Sequence, residues 1–552
     1  MAEEKAKKAT VTKKTVETKE KRATTPKTAA SKTAPKKTTT TKTTVTKAVE
    51  SKKATTTPKT KSTSKKTTVA PKSTPTKETK SSNSPKVLYV SSEAYPYAAT
   101  GSMGEALLGL PRAMRNSGSK VGVIMPLYER IDKQALTHVT NIEVHLAWRT
   151  LSCGLFKTIH DGVEYYFVEN DYYFKREHLY SYYDDVERFA FFSKAILELL
   201  PHISFTPDIL HCHDWQTALV SVYHKLFFAD LHKNLKTVFT IHTVDYQGNF
   251  DFSTVEDIFG IDAYHYPSLE FDGQVNLLKS AIEYSDVITT VSPTYLKELL
   301  SNTSNLSNII KDNVHKFKGI LNGMDTKKYN PETNPSLFKN FSSKTLEEDK
   351  KINKTELQKM LSLPVDESVP ILCVVGRMTR EKGYELLRRT MDDMLSRNIQ
   401  MILLGEGDID LENYFMHMSH SYNNKVSAIV AYNRDLANKI FAGSDVLLMP
   451  SRREACGLAQ MVASCYGCVP LVRKTGGLGD SIVDCEGGDV GNGFVFQNFE
   501  PGEFMHAFDR AIGLYFDYRE KFNGLAKRVM QHDFSWDKSA KEYAELYNNL
   551  TK

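Results

Sequence analysis

Hydrophobic and polar positions along residues 86–552 follow the rhythm of a doubly wound α/β protein. A buried strand is predicted at residues 87–90, where four apolar residues stand together, and the next apolar run lies at residues 121–125. The segment between them contains glycines and then a helical pattern over residues 107–115. A strand, a helix and a second strand in this order predict a βαβ unit.

Similar apolar runs recur along the chain, separated by polar turns and by helical stretches such as residues 187–200. They lie at residues 165–168, 209–211, 238–241 and 287–291 in the first half, and at residues 369–375, 401–404, 426–431, 446–449 and 469–472 in the second half. Strands that alternate with helices predict open, mostly parallel sheets. We therefore expect two Rossmann-like domains.

A polar stretch with prolines and the charged run KTLEEDKKINKTELQKM separates the two predicted sheets. We predict a first domain at residues 86–330, a hinge at 331–365, a second domain at 366–520 and a C-terminal helix at 521–552 that packs back on the first domain. Ligands of open α/β sheets bind outside the carboxyl ends of the strands. Two such domains predict a deep cleft whose facing loops hold the chemistry.

The start of the chain differs from the rest in charge and composition. Residues 1–86 contain 24 Lys+Arg and 6 Asp+Glu, a net charge of +18, and no aromatic residue; the chain totals of 72 and 66 leave 48 and 60, or −12, for residues 87–552. A segment with so few apolar residues cannot bury enough surface to offset the entropy of ordering. Residues 1–85 are predicted to be a disordered tail rich in Lys, Thr, Ala and Pro.

Three functions are open for this basic tail. It is a solvated spacer, or an electrostatic tether to an anionic partner such as nucleic acid, an acidic protein or the acidic body of the chain itself. The third option, a plastid transit peptide, fits less well because such peptides favour Arg and Ser and form an amphipathic helix. The spacer is the simplest interpretation.

Several classes of protein are disfavoured by the sequence. No stretch approaches the ~18 to 20 apolar residues of a membrane helix, and the Lys- and Thr-rich start lacks the apolar region of a secretory signal. The chain has 7 cysteines, an odd number at scattered positions, which is typical of reduced thiols. Cys465 and Cys468 form a C-x-x-C without a second pair, and their apolar surroundings favour a buried helix turn over a zinc or redox site. We expect a soluble cytoplasmic protein.

The second predicted domain carries the densest group of candidate residues. Arg377 and Lys382 follow a strand, and two cations at the carboxyl end of a strand suit a phosphate group. Glu454 follows the predicted strand at residues 446–449. The residues Cys456, Gly457 and Leu458 then lead into a helix whose N-terminal N–H groups suit an anion. A further glycine-rich turn, KTGGLGD, occupies residues 474–480.

The first predicted domain offers histidines at strand ends. His211, His213 and Asp214 end one strand, and His242 ends another. Two histidines and an aspartate can indicate a metal site. His211 and His213 share one face of a strand, whereas Asp214 begins a turn and no further ligand stands at a suitable spacing, so we favour contacts to a substrate.

Together these motifs resemble the bacterial glycogen synthase and plant starch synthase family, which are retaining glucosyltransferases of the GT-B fold. The resemblance covers essentially all of residues 86–552. It rests on KVLYVSSEAYPYAATGSMGE, HCHDWQTAL, FTIHTVDYQG, TVSPTYLKE, GILNGMDTKKYNP, GRMTREKG, AYNRDLANKIFAGSDVLLMPSRREACGLAQ, PLVRKTGGLGD and FSWDKSAKEY.

The resemblance implies a role for each candidate residue. Arg377 and Lys382 would neutralise the diphosphate of a nucleotide-glucose donor without a metal or another cofactor. Glu454 matches the essential carboxylate near the reacting face of the sugar, and His242 matches the histidine that contacts the transferred glucose. The remaining implied residues are Asp214 and Asn322 on the sugar and acceptor side, Tyr432 near the adenine, and Gly101, Ser102, Cys456, Gly457, Leu458, Thr475, Gly476 and Gly477 around the donor.

The sequence departs from the family pattern mainly at one loop. Where the family has K-T-G-G-L, this chain has Ala99, Thr100, Gly101, Ser102 and Met103, so the phosphate-side lysine and one glycine are replaced. Glu105 stands where Asp is usual, Thr243 where Asn is usual, and Arg453 and Ala455 replace Phe and Pro around Glu454. These departures place the donor affinity in question.

The expected activity is transfer of glucose from ADP-glucose to the nonreducing end of an α-1,4-glucan such as glycogen, with ADP-glucose:α-1,4-glucan 4-α-glucosyltransferase as the enzyme class. Two alternatives remain open. One is a non-catalytic GT-B homologue that binds or regulates glucan, which the altered donor loop suggests. The other is a transferase that uses UDP-glucose or a different acceptor.

Deleting residues 1–85 tests the interpretation of the tail. We expect kcat and the donor KM to stay within about twofold on short soluble glucans, because a disordered segment adds no packing to the cleft. If the tail is also a tether, the deletion and added salt will both abolish retention on an anionic polymer. A large loss of kcat would contradict both interpretations, because it would mean that the tail enters the cleft.

Overall fold

The computed structural model describes residues 84–552, so the predicted tail lies outside the described residues except for its last two positions. The strands of the first domain are β1 (Val87–Val90), β2 (Val121–Pro126), β3 (Thr137–Leu146), β4 (Arg149–His160), β5 (Val163–Glu169), β6 (Ile209–His213), β7 (Lys236–Ile241), β8 (Asn249–Phe250), β9 (Glu270–Phe271), β10 (Gln274–Asn276), β11 (Val287–Thr290) and β12 (Phe317–Gly319). Nine of them form one sheet in the order β12-β11-β7-β6-β1-β2-β5-β4-β3. The central strands are buried along their whole length, because helices cover both faces.

Helices of the first domain connect these strands. They are α1 (Ser102–Asn116), α2 (Asp171–Phe174), α3 (Asp185–Leu199), α4 (Ala218–Tyr223), α5 (Ser253–Asp257), α6 (Tyr266–Leu269), α7 (Leu277–Tyr284), α8 (Pro293–Ser301) and α9 (Asn305–Asp312). Ser292 caps α8 by accepting the N–H of Tyr295 at 2.9 Å, and Pro293 at the first helical position suits the start of a helix.

The second domain is built on a six-stranded parallel sheet in the order β15-β14-β13-β16-β17-β18. Its strands are β13 (Ile371–Val375), β14 (Gln400–Gly405), β15 (Val426–Val430), β16 (Val446–Met449), β17 (Val469–Arg473) and β18 (Phe494–Phe496). The helices that follow the first domain are α10 (Leu346–Met360), α11 (Tyr384–Leu395), α12 (Ile409–Ser421), α13 (Arg434–Gly443), α14 (Ala459–Cys465), α15 (Gly476–Ser481), α16 (Pro501–Asp517), α17 (Arg519–Met530) and α18 (Trp536–Leu550).

The predicted α/β class with two doubly wound sheets is confirmed, and one part of the first sheet differs from the prediction. The strands β3, β4 and β5 pair antiparallel, whereas the other ladders of this sheet are parallel. β3 lies at the sheet edge and is mostly exposed. An edge strand with one face in water alternates polar and apolar residues, so β3 has no apolar run that would predict a buried strand.

The segment predicted as a hinge contains a helix. In α10 the buried side chains include Asn353, Lys354 and Leu357, and Lys354 Nζ pairs with Asp445 at 2.8 Å. These polar groups are paired inside the second domain, whereas a hinge within residues 331–365 stays a prediction. The mostly charged and polar composition of α10 gave no indication that the helix packs in a core.

The C-terminal residues predicted as one helix form two helices that belong to different cores. α17 places Phe522 and Leu525 in the core of the second domain. α18 places Trp536, Tyr543 and Tyr547 in the core of the first domain. The chain therefore crosses back to the first domain only at α18. Within residues 84–552, the structure contains no helix long and apolar enough to span a membrane.

Candidate active site

The strand order of the second sheet brings Lys382 and Glu454 together. β13 lies between β14 and β16, and the chain runs from β13 to one side of the sheet and returns through β16 to the other. Such a reversal opens a crevice at the carboxyl ends of the two strands. Lys382 follows β13 and Glu454 follows β16. Lys382 Nζ lies 2.8 Å from Glu454 Oε1 and 2.6 Å from Oε2.

Close backbone packing holds these two loops in place. Gly383 has φ +82°, and a Cβ there would lie 2.0 Å from the carbonyl oxygen of Pro450, just after β16. Gly476 has φ +42°, and a Cβ there would lie 1.9 Å from the carbonyl oxygen of Glu454. Only glycine fits either position without moving the backbone. Ser451 Oγ also donates to Glu454 Oε2 at 3.2 Å.

Arg377 stands apart from this ion pair. Its side chain is exposed and makes no hydrogen bond or ion pair with another residue of the described chain. Among residues 84–552, the charge of Lys382 is balanced by Glu454, whereas the charge of Arg377 has no partner. Of these two predicted phosphate ligands, one is therefore available and the other is shared with a carboxylate.

The first sheet has its own reversal point, between β1 and β6. The chain leaves β1 toward β2 and β5, and it leaves β6 toward β7, β11 and β12. Asp214 follows β6, and its Oδ1 accepts the backbone N–H of His242, which follows β7, at 2.7 Å. Glu93 follows β1 at the same edge. This crevice therefore carries two carboxylates and a histidine.

The histidines of this crevice are buried and in contact. The rings of His211 and His213 stack at 4.4 Å, and His213 Nδ1 lies 3.0 Å from His242 Nε2. Burial lowers the pKa of His242 and of His211 to about 3, and the pKa of His213 lies well below its usual 6.5. His242 is therefore a neutral imidazole near pH 7 and acts as a hydrogen-bonding group without a charge.

His211 connects this cluster to the C-terminal helix. His211 Nδ1 lies 2.7 Å from the hydroxyl of Tyr547 on α18, and Nε2 lies 2.6 Å from Thr240 Oγ1. Both ring nitrogens are thus satisfied inside the protein, and His211 has none left for a ligand. Of the two histidines at the end of β6, only His213 contacts His242.

Asp214 is the group of this crevice that titrates near neutral pH. Burial raises its pKa from 3.8 to about 7, and the nearby Glu93 carboxylate adds to the rise, whereas the hydrogen bond from the N–H of His242 opposes it. Asp214 also has φ +56°, an unusual conformation for a residue other than glycine. Strained backbone and a shifted pKa are common at functional sites.

The loop that departs from the family pattern is held by Glu93, which the sequence analysis did not identify. Glu93 Oε2 accepts the N–H and the hydroxyl of Thr100 at 2.8 and 2.7 Å, and Oε1 accepts the N–H of Gly104 at 3.1 Å. Gly101 and Ser102 at the tip of the loop are exposed. The signal for Glu93 is its place three residues beyond a central strand.

Two cations from other segments lie beside this loop. Glu105 Oε1 accepts Lys328 Nζ at 2.5 Å and lies 3.2 Å from Arg434 Nη2. Both cations also lie over the ring of Tyr95, at 3.7 and 5.0 Å from its centroid. Tyr432 is 65% exposed, and its hydroxyl accepts Arg434 Nε at 2.9 Å. The group joins the first domain to the start of α13.

The predicted donor residues of the glycine-rich turn already have partners within the protein. The N–H of Gly476 donates to Glu298 Oε1 at 3.0 Å, Thr475 Oγ1 lies 3.3 Å from Glu298 Oε2, and the N–H of Gly477 donates to the carbonyl oxygen of Glu454 at 3.2 Å. Direct donor contacts by these groups stay a prediction.

The other predicted site residues lie near the junction of the two domains. Asn322 is buried, and its backbone N–H donates to the carbonyl oxygen of Val291 at 3.3 Å. Burial raises the pKa of the Cys456 thiol to about 12, so it is protonated at neutral pH. Gly457 has φ +80° and leads through Leu458 into α14. Within residues 84–552, no group of three or more His, Cys, Asp or Glu side chains is arranged to hold a metal ion.

Two doubly wound sheets with a ligand crevice in each are the architecture of GT-B glycosyltransferases, and comparisons with known proteins place the chain in that class. The family described as Starch synthase catalytic domain matches residues 86–312, and the family described as Glycosyl transferases group 1 matches residues 357–529. Glycogen synthase from Desulforamulus reducens is 41% identical over 475 residues, which cover 84% of this chain and 98% of that protein. Glycogen synthase from Clostridium perfringens is 41% identical over 477 residues, covering 85% of this chain and 98% of that protein.

Solved structures agree with these relatives. The catalytic domain of starch synthase IV from Arabidopsis thaliana, bound to ADP and acarbose, matches with a TM-score of 0.79 and 32% identity over 85% of this chain and 99% of that one. Sucrose-phosphate synthase from Thermosynechococcus elongatus, at 16% identity and a TM-score of 0.53 over 84% of this chain and 99% of that one, shares the fold. The chain belongs to the glycogen synthase and starch synthase family, and the resemblance drawn from its motifs is confirmed.

The variant Asp214→Asn tests the shifted pKa of this crevice. Because the pKa of Asp214 is higher in the folded chain than in the unfolded chain, ionisation opposes folding, and stability is lost as the pH rises from 3.8 through about 7. Asn keeps an oxygen that accepts the N–H of His242 but cannot ionise.

We expect the melting temperature of Asp214→Asn, relative to the wild type, to increase from pH 5 to pH 7 and to level off above pH 8. Melting curves of both proteins across this range measure the difference. A difference that does not change with pH would contradict the assigned pKa.

Proposed function

We propose that this chain transfers glucose from ADP-glucose to the nonreducing end of an α-1,4-glucan such as glycogen, with retention of the anomeric configuration. The observation that carries the proposal is the contact of Lys382 with Glu454 at the crevice where open α/β sheets bind ligands. Membership of the glycogen synthase and starch synthase family supports it, as does the ADP bound to the related starch synthase IV.

In this proposal Arg377 and Lys382 neutralise the diphosphate of the donor. The bond between the sugar and the phosphate breaks as negative charge develops on the departing ADP, and fixed cations in a cleft stabilise that charge. The ammonium group of Lys382 has three donors, two of which Glu454 accepts, so a diphosphate that binds Lys382 competes with Glu454 for its charge. In this proposal, donor binding weakens the ion pair and frees the Glu454 carboxylate toward the sugar.

The first domain would bind the sugar and the acceptor. His242 is neutral, so its imidazole can donate or accept one hydrogen bond with a glucose hydroxyl without the cost of a buried charge. We assign Asp214 and Asn322 to the same side of the cleft. The exposed ring of Tyr432 would stack on the adenine, since an exposed aromatic face suits a planar base.

The altered donor loop is accounted for by its surroundings. Ala99 cannot supply the positive charge of the family's lysine, but Lys328 and Arg434 lie beside the loop, where they pair with Glu105. We propose that these two cations, with the backbone of Gly101 and Ser102 and of Cys456, Gly457 and Leu458, contribute to donor binding. The non-catalytic homologue and the UDP-glucose enzyme are the alternative functions, and the loop is what favours them.

The proposed setting is the cytoplasm of the cell. All seven cysteines are free in the structure, and most are buried, which suits a reducing compartment. We also propose that the basic tail contacts an anionic partner when one is present, on the strength of its net charge alone.

A turnover assay with glycogen and either ADP-glucose or UDP-glucose tests the proposed function. We expect turnover with ADP-glucose that persists in a metal chelator, because Arg377 and Lys382 supply the positive charge. Lys382→Ala and His242→Ala should each lower kcat by roughly a hundredfold or more, and Glu520→Gln, an exposed change on α17, should leave kcat unchanged.

Each outcome of this assay separates the alternatives. Turnover with UDP-glucose but not with ADP-glucose would show that UDP-glucose is the donor. Strict dependence on a divalent ion would reject the proposal that Arg377 and Lys382 neutralise the diphosphate. Binding of glycogen without turnover by either donor would identify the non-catalytic homologue.

A further inference from the structure

Two helices from different domains each carry a carboxylate that accepts hydrogen bonds at the start of the other helix. Asp480 on α15 of the second domain reaches the start of α8 in the first domain. Its Oδ2 accepts Ser292 Oγ at 2.5 Å and the N–H of Thr294 at 3.0 Å, and its Oδ1 accepts Thr294 Oγ1 at 2.6 Å.

The second carboxylate runs in the opposite direction. Glu298 on α8 accepts the N–H of Gly476 and the hydroxyl of Thr475, at 3.0 and 3.3 Å, at the start of α15. Each helix therefore caps the other. We name the group of Glu298, Asp480 and their four partners the carboxylate clamp.

The clamp has more hydrogen bonds and is less exposed than another charge contact between the two domains. Arg453 Nη1 and Asp245 Oδ1 also pair across the domains, but at 3.7 Å and with both side chains about half exposed. Exposed pairs of this kind contribute about 0–1 kcal/mol. The clamp has five hydrogen bonds to two carboxylates that are partly buried, and each carboxylate lies at a helix N-terminus, where negative charge is favoured.

Each helix of the clamp also holds one loop of the proposed active site. On the first domain, the hydroxyl of Tyr295 on α8 accepts the N–H of Val244, two residues after His242, at 3.2 Å. On the second domain, Gly477 of α15 donates to the carbonyl oxygen of Glu454 at 3.2 Å. One hydrogen bond therefore links each helix of the clamp to the loop that carries His242 or Glu454.

We propose that Glu298 and Asp480 are positioning residues that set the placement of Glu454 relative to His242 across the cleft. The inference rests on the proposed function, because the two groups have a shared task only if one sugar lies between them. Neither carboxylate needs to touch the substrate. Misplacement of reacting groups by about 1 Å can cost a hundredfold in rate.

Kinetics and donor affinity test the clamp together. Glu298→Ala and Asp480→Ala should each lower kcat by roughly tenfold to a hundredfold. The dissociation constant of ADP should change much less than kcat, since Arg377 and Lys382, the cations proposed to bind the diphosphate, are not members of the clamp. The double variant should lose little more than either single variant, because one broken side already releases the alignment.

Two matched variants control for loss of charge and loss of fold. Glu298→Gln keeps an oxygen that accepts the N–H of Gly476 and should retain more activity than Glu298→Ala. Glu283→Gln removes a carboxylate of the first domain that, among residues 84–552, pairs only with Lys279 of its own helix, at 3.8 Å, and should leave kcat unchanged. Equal kcat in Glu298→Ala and Glu283→Gln would overturn the proposal.

Hydrogen exchange supplies a measurement that does not depend on activity. In Glu298→Ala and Asp480→Ala, amides of residues 243–247, 454–458 and 476–481 should exchange faster, while amides of the central strands β1 and β13 keep their protection. Unchanged exchange in the three segments, or wild-type kcat in both alanine variants, would overturn the proposal.

The two proposals fail in distinguishable ways. If the wild-type protein transferred no glucose, the proposed function would fail. Faster exchange confined to the three segments would then support the mechanical link, and unchanged exchange would reject it. If the wild type transferred glucose and the alanine variants weakened ADP binding in proportion to kcat, the clamp would be part of the donor site, and the positioning role would be rejected.

Discussion

The order of strands in each sheet is the constraint on which the proposed site depends. Connections that leave two neighbouring parallel strands in opposite directions cannot fill the space above their carboxyl ends, so a crevice must form there. In the second domain this crevice lies between β13 and β16, and it brings Lys382 and Glu454 together although 72 residues separate them along the chain. In the first domain it lies between β1 and β6 and gathers Glu93, Asp214 and His242.

The charges in the two crevices differ, and their difference suits group transfer. The second domain offers cations, one of them balanced by Glu454, and these suit the two phosphates of the proposed donor. The first domain offers neutral histidines and an aspartate whose pKa is near 7, which suits a sugar with hydroxyl groups and no charge. Electrostatic groups held in place before the substrate arrives need little reorganisation during the reaction. The carboxylate clamp extends this argument to the relative placement of the two crevices.

The sequence predicted the parts that short-range patterns control. Apolar runs located β7, β13 and β16, and the polar residues that follow these strands include the predicted site residues His242, Lys382 and Glu454. The antiparallel pair β3 and β4 was not predicted, because its strands mix polar and apolar residues instead of forming apolar runs. Glu298 and Asp480 could not be predicted for another reason. Each is an ordinary polar residue on a short helix, and its partners lie 177 to 188 residues away along the chain. Only the packing of the two domains gives them a role.

The central claim is that Glu454 occupies Lys382 until the diphosphate of the donor takes its place. Calorimetric titration of ADP into the wild type, Glu454→Gln, Lys382→Ala and the double variant tests it most directly. Removing the competing carboxylate charge should tighten ADP binding by about tenfold in Glu454→Gln, since a charge-assisted contact is worth roughly 1.5–3 kcal/mol, and the gain should largely vanish when Lys382 is absent. Unchanged or weaker ADP binding in Glu454→Gln would contradict the account.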